Sequence, residues 1–162
     1  MSLLSHQVAQ PFVGYLKFEK RYSHHTITAY QADLYEFIDF VKIQYGDTDL
    51  VSISHGAVRS WLAQLKEQGL TAKSLNRKIS TLKSFFKYLL KNGIIEISPM
   101  AKVISPKTGK RLPVFVKEEE TQLLLDSLNS STESWRSLNA RLIITIFYAT
   151  GMRLSELINL KE

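Results

Sequence analysis

Before Leu112, apolar residues recur at intervals of three and four and show no convincing alternation at two, so this part of the chain is confined to packed helices. A first helix is predicted over about Gln10–Arg21, with Phe12, Val13, Tyr15 and Leu16 inward and Pro11 in its first turn. A second begins near Ser23–Thr26, turns Ile27, Tyr30, Leu34, Phe37, Ile38, Val41 and Tyr45 inward, and stops at Gly46-Asp47. Ser54 caps a third, which carries Val58, Trp61, Leu62 and Leu65 and ends at Gly69. Thr71 caps a fourth that runs to Asn92-Gly93.

The stretch from Ser98 to Pro113 holds three prolines and the cations Lys102, Lys107, Lys110 and Arg111, and reads as an extended basic linker. Val114-Phe-Val116 is either a short strand or the end of that linker, and Lys117-Glu-Glu-Glu opens a new helix with acids in its first turn. The expected organisation is a helical domain over 1–104, a linker over 105–113 and a second unit over 114–162, small for an independent domain. The fold class is all-α, with a four-to-five-helix N-terminal bundle.

Absence of cysteine removes disulfides and thiolate metal sites and suits a reducing cytosol, and the four histidines do not look like ligands. No signal pattern precedes the first helix, and no apolar run approaches the roughly 20 residues that cross a bilayer, so a cytoplasmic protein without membrane partners is expected.

Charge is concentrated rather than spread. Gln68 to Lys117 holds eleven Lys or Arg against the single acid Glu96, while the rest of the chain carries ten bases and fourteen acids. A one-sign block repels itself unless a polyanion compensates, which points to nucleic acid; a merely solubilising basic surface is the plainer alternative. On the fourth helix Leu75, Ile79, Leu82, Phe86 and Leu89 form an apolar stripe. Opposite it lie Lys73, Asn76, Arg77, Ser80, Ser84, Lys87 and Lys91, with no acid among them. Asn and Arg suit base edges and Lys and Ser suit phosphates, so this face is either a major-groove reader or an ordinary solvated helix face.

Near the C-terminal end, Leu142-Ile-Ile-Thr-Ile-Phe-Tyr-Ala149 is apolar on nearly every side and is expected to be a buried helix, closed by Gly151. Ser155 is the expected N-cap of the next helix. Arg153, between the two, can grip two phosphodiester oxygens with Glu156 orienting it, or can form a structural pair with Glu156.

Ala149-Thr-Gly-Met-Arg-Leu-Ser-Glu-Leu157 resembles the first-arginine motif of the tyrosine recombinases and phage-type integrases, especially their Xer-like branch. Ser23-His-His-Thr26, Tyr30, Asp33-Leu34 and Phe37 are similar to that branch's SAM-like core-binding domain. So are Ser74, Asn76-Arg77, Ser80, Leu82-Lys83, Phe85-Phe86 and the linker Pro106-Lys107…Leu112-Pro113. The resemblance implies two domains that close around double-stranded DNA. It also implies strand exchange through a 3′-phosphotyrosine, with no metal, cofactor or small-molecule substrate. It makes Arg153 the first catalytic arginine and Glu156 its supporting acid. Thr26, Lys73, Asn76, Arg77, Ser80, Lys83, Ser84, Lys87, Lys107, Lys110 and Arg111 are the expected DNA contacts.

The sequence stops at Glu162, before that family's β-sheet lysine, His-x-x-Arg element, late His or Trp and nucleophilic tyrosine, so by itself it is expected neither to cleave nor to join DNA. Tyr148 is expected to be a packing residue, not the nucleophile. Apolar helix faces after residue 114 are expected to be hidden by self-association or to leave the last helix disordered, and a recombinase oligomer on DNA is implied. Two other readings stand beside this one: an accessory or competing DNA-binding protein with a structural Arg153, and a helical protein-interaction module. The acid-free block from Gln68 to Ile95 speaks against the last.

Overall fold

The computed structural model describes residues 3–46, 49–109, 115–130 and 134–161, with side chains from residue 8 onward except 128–130. The chain divides into two compact units, residues 1–109 and 110–162. All regular structure among the described residues is helical.

The first unit contains α1 (Leu3–Phe18), α2 (His24–Tyr45), α3 (His55–Glu67) and α4 (Ala72–Lys91), with a 3-10 turn at Leu50–Ser52. Three of these begin on the hydroxyl caps that the sequence marks. Ser23 accepts from the Thr26 N–H, Ser54 from the Ala57 N–H and Thr71 from the Ser74 N–H, each satisfying an amide that has no intrahelical partner. Gly69, at φ 85°, turns the chain out of α3 in a conformation that costs a side-chain-bearing residue strain.

α4 is the centre of the bundle because its apolar side is wider than the predicted stripe. Leu75, Ile79, Leu82, Phe86 and Leu89 are buried, and so are Phe85, Thr81 and Lys78. Phe85 meets Phe12 of α1 edge-on at 5.3 Å, while Phe86 lies 6.4 Å from Phe37 of α2, which in turn packs 5.1 Å from Trp61 of α3. Four helices are thereby joined through one aromatic chain.

α1 starts well before Gln10, and Pro11 sits inside it rather than in its first turn. Ala9 is fully buried and Val8 packs against the core, so burial extends the helix upstream although proline removes one backbone hydrogen bond. Tyr45, predicted inward, is 50 % exposed at the last residue of α2. The expected extended linker is also shorter than its prolines suggest. Residues 99–102 form turns, and Pro99, Met100 and Val103 are buried.

The second unit comprises α5 (Glu118–Ser130), α6 (Trp135–Thr150) and α7 (Leu154–Ile158), with α5 packed on α6. Phe115 and Val116 form no strand and are exposed; Val114 lies outside the described residues. α6 overturns the expectation of a buried helix, since none of its residues is buried and Leu138, Leu142 and Tyr148 are each more than half exposed. Its hydrophobicity is all-round, whereas its packing among the described residues is chiefly against α5, so much of its apolar surface stays exposed. For the same reason Tyr148, at 60 % exposure, is not the packing residue expected of it.

Burial therefore ranks the apolar side chains by their contribution to stability. Leu82→Ala, at a fully buried site, is expected to cost about 2–5 kcal/mol in urea denaturation followed by circular dichroism. Ile43→Ala, at an exposed one, is expected to change stability by less than about 0.5 kcal/mol.

Candidate nucleic-acid interface

Burial of the apolar side of α4 leaves Lys73, Ser80, Lys83 and Lys87 exposed and Ser84 half-buried, so one helix presents a run of cations and hydroxyls to solvent. Lys73 stands in the first turn, where the helix dipole disfavours a cation unless an anion lies nearby. Ser80 donates to the Asn76 carbonyl, and Lys91 reaches Glu19 at 3.4 Å while lying over the Tyr15 ring. Lys107 is exposed on the segment after the bundle; Lys110 and Arg111 fall outside the described residues.

Two members of the expected set are tied to parts of the chain far away in sequence. Asn76 donates its amide to the Pro106 carbonyl at 2.9 Å and so pins the outgoing segment to α4; its Oδ1 is buried without a hydrogen bond. Arg77 pairs through Nη1 with Asp33 of α2, and the same nitrogen lies 3.4 Å from the Ala29 carbonyl. Its side chain nevertheless remains 45 % exposed. These contacts bring the N-terminal half of α2 against α4. Thr26, at the start of α2, is half-buried and shares a hydrogen bond with the Ser23 hydroxyl at 2.9 Å.

Asp33 and Lys78 were invisible to helical periodicity as functional groups. Asp33 is 1 % exposed and accepts from Arg77, from Lys78 at 3.1 Å and from Thr81 at 3.0 Å. Lys78, 5 % exposed, also pairs with Glu36 and lies 5.6 Å from the Trp61 ring centroid. Sequence-local counting finds no acid on α4, but the fold brings two from α2. For Asp33 the signals available were its place four residues before Phe37 on the inward side of α2 and its part in the family resemblance, neither of which names a partner.

A groove of about 620 Å³ between α3, α4 and residues 102–106 adds His55, Arg59, Lys66 and Lys102 to the basic surface, with no acid among its described lining residues. His55 Nδ1 lies 3.0 Å from the Pro99 carbonyl oxygen, which can only accept, so that nitrogen carries the proton. Among the described residues no cluster of His, Cys, Asp and Glu has the makings of a metal site. None of the described helices is long and apolar enough to cross a membrane.

In the second unit Gly151 closes α6 at φ 65°, and its N–H reaches the Phe147 carbonyl at 2.9 Å. Arg153, not Ser155, is the N-cap residue of α7. Glu156 explains the difference. One carboxylate oxygen accepts from the Arg153 backbone N–H at 2.8 Å and the other from Nη1 at 3.0 Å, so the acid caps the helix and steadies the guanidinium together. The arginine side chain is 82 % exposed.

A helical bundle whose α4 turns a cationic face to solvent belongs to the class of SAM-like helical domains. The model of the phage integrase N-terminal SAM-like domain matches residues 9–93, and the chain belongs to that family. It is 38 % identical over 151 residues to a tyrosine recombinase XerC of Bacillus pumilus, covering 93 % of this chain and 48 % of that protein. It is 37 % identical over 161 residues to the XerC of Halalkalibacterium halodurans, covering 99 % and 52 % respectively. The chain thus spans about half the length of the curated relatives it matches. In fold it is similar to the Tn1549 transposon integrase solved in complex with circular intermediate DNA, with a TM-score of 0.65 at 19 % identity over 96 % of this chain and 49 % of that one.

Tyr30 of α2 is a titratable neighbour of this surface. Burial, then Tyr22, then Asp33 hold its phenol above the ordinary value of 10.0. The neutral phenol is the form the fold favours, so its stabilisation is present below 10 and is lost as pH rises through the raised value. Tyr30→Phe is expected to lose less stability than the wild type between neutral pH and alkaline pH above 10, as read from urea melts at each pH.

Proposed function

We propose that the chain is the DNA-binding portion of a site-specific tyrosine recombinase, with residues 1–104 the core-binding domain, 105–113 a basic linker and 114–162 the opening segment of the catalytic domain. The observation that carries this reading is the exposed cation row of α4, set opposite a fully buried stripe within the family-matched bundle. Double-stranded DNA in the cytoplasm is the partner. Lys73, Ser80, Lys83, Ser84, Lys87, Lys107, Lys110 and Arg111 contact its backbone, together with Thr26, while Arg77 lies closest to the bases and Asn76 holds the outgoing segment beside it. The XerC relatives support a parent enzyme that breaks and rejoins DNA through a phosphotyrosine. In that enzyme Arg153 neutralises charge on the scissile phosphate and Glu156 orients it.

The test is a salt series of duplex binding. Affinity is expected to fall steeply with salt, and Lys87→Ala is expected to reduce the log–log slope by about one. Binding that ignores salt, or none at low salt, would exclude the reading.

The same unit is proposed to self-associate through residues 114–162, where Leu123 is 69 % exposed, Leu138 54 % and Leu142 58 %. Such apolar surface is rarely left to water. Sedimentation is expected to show an oligomer that Leu142→Glu dissociates; a strictly monomeric wild type would refute the idea.

A further inference from the structure

Asp33 spends a buried charge in a way that stability alone does not require. Apolar residues of similar volume often replace a buried ion pair without loss. Here the carboxylate engages three residues of α4 at once, with Oδ1 accepting from Lys78 and Oδ2 from Arg77 and Thr81. Of the three, Arg77 alone reaches the surface, its side chain 45 % exposed. Lys73, Lys83 and Lys87 on the same helix are exposed cations.

Two consequences follow for an arginine held in this way. Part of its ordering cost is met on folding rather than on binding, because Asp33 and the Ala29 carbonyl both hold its Nη1. An arginine positioned in advance through one nitrogen suits bidentate contact with a base edge, where small displacements cost the second hydrogen bond. Its charge is also cancelled locally. Arg77 and Lys78 carry two positive charges, and Asp33 and Glu36 bring two negative ones to them. The tethered arginine therefore adds little to the field that draws in any phosphate backbone, which is left to the exposed lysines.

We infer that Asp33 is a specificity-determining positioning residue, which restrains Arg77 from sequence-independent phosphate pairing and holds it ready to read a base edge. This rests on the DNA-binding reading above. Losing the carboxylate's charge then has a signature that simple destabilisation lacks, since binding to the wrong DNA improves.

The experiment compares Asp33→Asn with the wild-type chain on two duplexes. One is selected from a random pool for tightest binding to the wild type, and the other is its scrambled counterpart. Asparagine keeps an acceptor for Thr81 while removing the charge. Affinity for the scrambled duplex is expected to rise about two- to fivefold with a salt slope steeper by about one. Discrimination between the duplexes is expected to fall by roughly tenfold. Arg77→Met is expected to lose the same discrimination without the rise in scrambled binding, and Asp33→Asn in the Arg77→Met background to add nothing further. Should Asp33→Asn lose its cooperative melt, the comparison is made in the Lys78→Met background, which removes the buried ammonium that has lost one of its two carboxylate partners. Equal losses on both duplexes, unchanged discrimination, or a wild type that never discriminates would each overturn the inference while leaving DNA binding intact. A wild type that binds neither duplex overturns the DNA-binding reading, and this inference with it.

Discussion

A carboxylate with 1 % exposure survives in an apolar bundle only if every charge around it is matched, and Asp33 meets that condition by drawing Arg77, Lys78 and Thr81 of α4 onto α2. The contact is specific in a way that the surrounding aromatics are not. Phe37, Phe86 and Trp61 are among the largest fully buried side chains, yet apolar contacts tolerate small slides that an ion cluster does not. Register between α2 and α4 decides which residues of α4 face out. The cationic row that faces solvent thus depends on a carboxylate beneath it.

The two units solve the burial problem differently. In the first, α1, α2, α3 and the returning segment at Met100 and Val103 bury the apolar side of α4. In the second, α5, α6 and α7 carry apolar residues that face water, among them Leu123, Leu142 and Ile158. Composition does not separate these cases; what differs is the number of partners within reach of each helix.

Much of this was legible from local rules. Ser23, Ser54 and Thr71 marked helix starts because a hydroxyl cap acts within three residues, and Gly69 and Gly151 marked ends because a left-handed turn is a local need. The stripe on α4 was legible through its period. Pro11 misled, since burial of Ala9 upstream outweighs one lost hydrogen bond. Ser155 misled also, because Glu156 reaches back to cap the helix at Arg153.

The sequence by itself determined the helices, their caps, the concentration of positive charge between Gln68 and Lys117, and the arginine turn at 153, because each depends on neighbours within a turn or two of the chain. Only the tertiary structure decided that Lys78 lies inside, that Arg77 is tethered 44 residues away to Asp33, and that Asn76 holds the Pro106 carbonyl. Charge pairing across a core is set by which helix faces meet, and hydrophobic periodicity specifies that a face is buried without naming the face it is buried against.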